Sequence, residues 1–175
     1  MVFINIILVS LLAFLGLVFG MFLAFFTKEE LKPGRKYFGI LLKAVTIVLI
    51  VMLITKSLNN YLLLSIAFIL GMIISFIFRK NYFYLGFIIV GSSFLGDDFF
   101  SLISGLVFLF GLPFGTMIAS NNLNKIKKLY NIVVSNFILY AIPFLVLFFG
   151  NLIQNYTNII FAFSSGALFV FLVSR

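Results

Sequence analysis

The stretch 27–36, TKEELKPGRK, is the first polar break in a chain that is otherwise soluble in lipid, and it constrains everything after it. It holds four of the twelve basic residues and two of the four acidic ones. A charge cluster of this density resists crossing a bilayer, so it fixes the side on which each later segment emerges. The apolar fraction explains why a bilayer enters the argument at all. Hydrophobic residues make up 64% of the chain and charged residues 9%, against ~45–50% and ~25% in globular proteins. A soluble core of this size cannot hide so much apolar surface, and 175 residues leave room for one polytopic transmembrane domain, 1–175.

Seven apolar runs follow one another at 2–26, 37–55, 61–78, 82–96, 99–119, 129–150 and 159–174. The expected fold is an all-α integral membrane protein, a bundle of about seven transmembrane helices. The first run is too long for a signal peptide, carries no charge after Met1 and offers no good cleavage site, so it is expected to be retained. The fourth run of fifteen residues rises only about 22 Å, short of a ~30 Å hydrocarbon core. Thr27 and Glu30 have the spacing of a capping box, and Pro33-Gly34 is expected to stop the short turn they begin. Pro113 is expected to kink the fifth helix. Lys43 lies inside the second run, close enough to its start to snorkel to headgroups.

Placing the first loop inside gathers Lys28, Lys32, Arg35, Lys36, Arg79, Lys80, Lys125, Lys127, Lys128 and Arg175 on one side and leaves Lys56 on the other. That split satisfies the positive-inside rule in a cell membrane, with the N-terminus outside and the C-terminus cytoplasmic. The same residues are expected to meet anionic headgroups, each contact being worth about 1 kcal/mol. Six of the seven tyrosines, Tyr37, Tyr61, Tyr82, Tyr84, Tyr130 and Tyr156, fall near expected helix ends, where amphipathic rings prefer to sit. Only Tyr140 is deep. Ala13, Gly16, Gly20 and Ala24 form a small-residue stripe in the first helix, and Gly105, Gly111 and Gly115 a second in the fifth, both expected to serve close helix packing. Seven helices would suit three plus three around a linker, but no matching motifs are evident in the two halves.

Several chemistries are excluded by residues the chain lacks. Without Cys there are no disulfides, thiolate nucleophiles or Cys-ligated metals. Without His the commonest general base and metal ligand is missing as well. No phosphate loop, dinucleotide glycine pattern or zinc signature is present, so no cofactor or metal is expected. The basic residues sit in short gaps between apolar runs, the pattern of topology determinants and headgroup contacts, so nucleic acid is not an expected partner. The Gly96-Asp97-Asp98 string lacks the first glycine of intramembrane aspartyl proteases, and no further Asp exists to complete a catalytic pair. The last helix carries no Lys at depth, which removes retinal binding.

What remains is a short set of candidate polar contacts. Asp97 and Asp98 are adjacent carboxylates able to attract a cation or share a proton, with Ser101 and Ser104 as further oxygen ligands. The plainer reading is a solvated turn in which Asp98 caps the following helix. Asn136 is the one strongly polar side chain expected at mid-depth, where it needs an interhelical hydrogen bond or a ligand. Ser164-Ser165-Gly166 reads as close packing first and as polar lining second. The expected function is a small transport or substrate-binding membrane subunit, with a cavity among helices four to seven. The alternative is a non-catalytic scaffold or assembly subunit that packs on a membrane-protein partner or a second copy. A lipid-modifying enzyme relying on the Asp pair ranks last.

Overall fold

Continuous apolar sequence leaves the backbone one economical way to satisfy its amides, the helix. The computed structural model describes residues 3–27, 31–57, 61–123, 125–149 and 154–174, and the side chains within them except those of 3, 31–33 and 149. Among the described residues the chain is all-helical. It forms α1 (Phe3–Phe26), α2 (Leu31–Lys56), α3 (Tyr61–Ile77), α4 (Asn81–Ser92), α5 (Asp97–Ser120), α6 (Ile126–Ala141), a 3₁₀ segment (Ile142–Phe149) and α7 (Thr157–Val173). Four stretches are long and apolar enough to cross a membrane: Ile4–Phe26, Gly34–Lys56, Asp97–Ser120, and Ile126–Phe148, which joins α6 to the 3₁₀ segment. The helices α3, α4 and α7 are apolar but shorter.

Several boundaries differ from the sequence expectation, each for a local reason. Helix α2 runs through Pro33 and Gly34 instead of stopping there, because a proline in the first turn gives up an amide that has no intrahelical partner anyway. Thr27 donates its hydroxyl to the Leu23 carbonyl at 2.9 Å at the end of α1, and its expected capping-box partner falls outside the described residues. Lys28, Glu30 and Arg175 lie outside the described residues. Helix α4 has only twelve residues, about 18 Å of rise, because the chain turns at 93–96 through Gly96. That glycine has φ 108, a conformation that side-chain-bearing residues avoid. Helix α5 continues unbroken through Pro113. The expected helix 129–150 starts earlier and changes to 3₁₀ at Ile142, one residue before Pro143. The proline ring crowds the preceding turn, and its nitrogen has no proton for the Leu139 carbonyl.

Two helix pairs make the closest contacts of the bundle, α1 with α5 and α3 with α7. In both, glycines let backbone meet backbone. A Cβ on Gly16 would collide with the Phe108 carbonyl, and one on Gly20 with the Leu112 carbonyl. Likewise, a Cβ on Gly71 would collide with the Phe163 carbonyl. Partners rise together from Gly16 with Phe108 to Gly20 with Leu112, and from Gly71 with Phe163 to Ser75 with Ala167, so α1 runs parallel to α5 and α3 to α7. Ring contacts of Phe99 with Phe161 at 6.0 Å and of Phe110 with Phe171 at 5.6 Å set α5 parallel to α7. All four odd-numbered helices therefore point the same way.

That common direction sorts the charges by end. The exposed side chains of Arg35, Lys36, Arg79, Lys80, Lys125, Lys127 and Lys128 lie where odd-numbered helices finish and even-numbered ones begin. Lys56, Asp97 and Asp98 lie at the opposite end, where the Lys56 ammonium sits 5.5 Å over the Phe99 ring. Helix α4 occupies the centre against α5, α6, α7 and the 3₁₀ segment, and Tyr82, Tyr84, Leu85, Ile88, Ile89 and Val90 on it are fully buried.

Candidate functional site

The Asp pair opens α5. Asp97 and Asp98 are the first two residues of that helix, both exposed, beside the partial positive charge of its free amides. The expected cap by Asp98 does not form, because Gly96 holds the N-cap position and Asp98 already lies inside the helix. No group of three or more acidic residues, His or Cys able to hold a metal occurs among the described residues. Ser92 and Ser93 turn away from the pair, onto the Ile89 and Val90 carbonyls of their own helix at 2.8 and 2.7 Å. Ser101 is exposed and Ser104 buried, so the structure does not gather these oxygens around one point.

Asn136 is half-buried on α6. Its Nδ2 donates to the Ile132 carbonyl of the same helix at 2.8 Å, not to a neighbouring helix. One turn later comes a different arrangement. Tyr140 sends its hydroxyl across to the Ser10 carbonyl on α1 at 2.9 Å. Its ring lies 5.4 Å from Phe14 and 6.1 Å from Tyr82. Tyr82 in turn meets Phe14 at 5.3 Å, Phe114 at 5.8 Å and Phe110 at 6.4 Å. This aromatic cluster fills the middle of the bundle where a polar cavity was expected.

Most hydroxyls in the bundle are silenced by bonds to backbone carbonyls three or four residues back, as Thr46 is by Leu42 at 2.7 Å and Ser165 by Phe161 at 2.7 Å. Three are not. Tyr82 Oη, Ser104 Oγ and Ser164 Oγ are buried without a hydrogen-bond partner among the described residues. Leaving such a group unpaired costs about 1–3 kcal/mol. Ser104 and Ser164 stood out in the sequence as small polar residues inside apolar runs. Tyr82 did not: its place near a helix end marked it as interfacial, whereas α4 is so enclosed that Tyr82 and Tyr84 are fully buried. Tyr37, Tyr61, Tyr130 and Tyr156 are exposed.

The cavities are shallow and lateral. A groove of about 380 Å³ runs beside Ile54, Ser57, Tyr61, Leu64, Phe68 and Ala162, and one of about 210 Å³ lies between α1 and α6 beside Ile7, Leu11, Phe137 and Phe144. A more polar one of about 240 Å³, at the basic end, has Ser75, Arg79, Asn81 and Ser174 around it. Of the glycines expected to serve packing, Gly16, Gly20, Gly111 and Gly115 all face backbone of the partner helix. Gly105 does not: it is exposed, and a Cβ there would meet nothing within 4 Å. Comparison of the chain with protein-family models, with characterised proteins and with solved structures gives no match.

Proposed function

We propose that this protein is a membrane-embedded subunit that binds or carries a small uncharged polar solute through α4, α5 and α7. The observation behind this reading is the set of three buried hydroxyls without partners, Tyr82, Ser104 and Ser164, one on each of those helices. A buried hydroxyl is rarely left unpaired without a functional reason. A hydrogen-bonding solute would supply the missing partner. An ion is disfavoured, because none of these three groups is charged and ions need charged partners inside a membrane. In this reading all seven helices cross the cell membrane, the basic end faces the cytoplasm and anionic headgroups, the N-terminus is outside, and Asp97 and Asp98 flank the outer approach.

The test is solute flux into proteoliposomes, followed by light scattering with glycerol and urea. The expected result is permeability well above that of empty vesicles, reduced at least tenfold in the Ser104→Ala/Ser164→Ala variant while its melting temperature is kept. Vesicles no more permeable than empty ones to either solute would overturn the proposal.

A scaffold or assembly subunit is the second reading, and α6 is what favours it. Only 11% of an 18-residue window within Ile126–Phe148 is buried, against 33% to 56% of such windows in the other three spanning-length stretches. Under this reading a partner helix covers α6, and the protein purifies from native membranes with another membrane protein in fixed ratio.

A further inference from the structure

The two glycine-mediated pairs reciprocate in a way that chance packing does not. Gly20 is closed by the carbonyl of Leu112, and Gly115 by the carbonyl of Leu17. Position 112 is 95 residues after 17, and 115 is 95 residues after 20. In the second pair, Gly71 is closed by the carbonyl of Phe163 and Gly166 by that of Phe68, and the same step of 95 relates 68 to 163 and 71 to 166. Exchanging each residue for the one 95 positions away thus carries both contacts onto themselves. For parallel helices, that property is a local two-fold rotation between the two members of each pair.

The sequence obeys the same step, which corrects the expectation of no matching motifs in the two halves. Residues 16–24 read GLVFGMFLA and residues 111–119 read GLPFGTMIA, while 67–71 read AFILG and 162–166 read AFSSG. The starts of α2 and α6, Leu31 and Ile126, are also 95 apart. We infer that the chain is an internal duplication: α1–α3 and α5–α7 are two copies of one three-helix unit, paired through local two-folds at α1/α5 and α3/α7 and joined by α4. The inference does not depend on the proposed function.

The duplication accounts for the seventh helix and for the asymmetry around it. A three-helix unit begins at one end of the bundle and finishes at the other, so a second copy with the same direction requires the chain to cross back once. Helix α4 makes that return. It also breaks the symmetry, because α2 packs on α5 and α7 whereas α6, its counterpart, packs mainly on α4 and the 3₁₀ segment and barely on α1. The polar interior follows the break. Ser104, Tyr140, Ser164 and Ser165 in the second copy stand where the first has Val9, Val45, Ile69 and Leu70. The first copy also buries Ser10, Thr46 and Ser75, but each of these donates to a carbonyl, so the two partnerless serines, Ser104 and Ser164, both fall in the second copy.

Each pair also holds one cross-helix hydrogen bond that its symmetric site lacks. Thr116 Oγ1 donates to the Gly20 carbonyl at 2.9 Å, and the position equivalent to Thr116 is Met21, facing the Gly115 carbonyl. Ser75 Oγ donates to the Ala167 carbonyl at 3.0 Å, and its equivalent is Val170, facing the Met72 carbonyl. The test moves each bond to its symmetric site in the full-length chain and reads thermal unfolding in detergent. In a Thr116→Val background, Met21→Thr should melt about 1–4 °C above the isosteric Met21→Val, matching the gap between wild type and Thr116→Val. In a Ser75→Ala background, Val170→Thr should melt above the parent by a similar margin. At the neighbouring, non-equivalent position, Phe22→Thr should not exceed Phe22→Val. If neither transplanted hydroxyl raises the melting temperature, or if the Phe22 control rises equally, the duplication is wrong. Should the Met21 variants fail to fold, the Val170 comparison decides alone.

Discussion

The hydroxyl of Tyr140 on α6 donates a 2.9 Å hydrogen bond to the backbone carbonyl of Ser10 on α1, 130 positions earlier in the chain. It is the polar bond that ties the loosely packed α6 to α1, and it is buried at both ends. Tyr140→Phe keeps the ring against Phe14, Tyr82 and Phe144 and removes only this bond. The expected cost is about 0.6–1.7 kcal/mol, since the Ser10 carbonyl keeps a partner within its own helix. Tyr140→Leu also removes the ring contacts and should lower the melting temperature further. Equal melting temperatures for the two variants would mean that the ring adds nothing.

The glycines separate into two kinds that one substitution tells apart. Gly105→Ala places a methyl group in open space and removes a flexible residue from a helix interior, so stability should hold or rise by about 0.5–1 kcal/mol. Gly20→Ala and Gly71→Ala drive a methyl group into the backbone of the partner helix. The helices must separate, at a cost of about 1–3 kcal/mol or more. Thermal unfolding in detergent reads all three, and a Gly105→Ala variant as damaged as Gly20→Ala would contradict the packing.

The absence of native Cys makes the proposed topology simple to read. Single cysteines at Lys36, Lys80 and Lys127 should react with a membrane-impermeant maleimide only from the cytoplasmic side. Those at Lys56 and Asp98 should react only from outside. Labelling of positions 36 and 127 from opposite faces would break the alternation that the shared direction of the odd-numbered helices requires.

Asp97 and Asp98 are exposed at the start of α5, so their contribution should be electrostatic and small. Asp97→Asn/Asp98→Asn removes a favourable interaction with the helix N-terminus of about 0.3–1 kcal/mol per residue at low salt, and less at high salt. Calcium or magnesium should shift the melting temperature of wild type and variant equally. A cation-dependent stabilisation seen only in the wild type would restore the Asp pair as an ion site.

The sequence by itself determined the class of the protein and its punctuation. Uninterrupted apolar runs leave the backbone no partner but itself, so seven helices and the charged gaps between them were legible without coordinates. Helix ends were less so. Pro33 falls where a first turn tolerates it and Pro143 where a helix interior does not, and composition alone does not separate these cases. The partners of the helices were decided only in three dimensions. Gly16, Gly20, Gly71 and Gly166 announce close approach to some helix, but a glycine has no side chain with which to specify which one. The register, and with it the 95-residue step, emerged from which carbonyl closes which glycine. The same holds for the interior polar groups. Whether a serine in a helix donates to its own preceding turn, as Ser165 does, reaches across like Ser75, or is left unpaired like Ser164 depends on what packs against it, and that is a property of the assembled bundle.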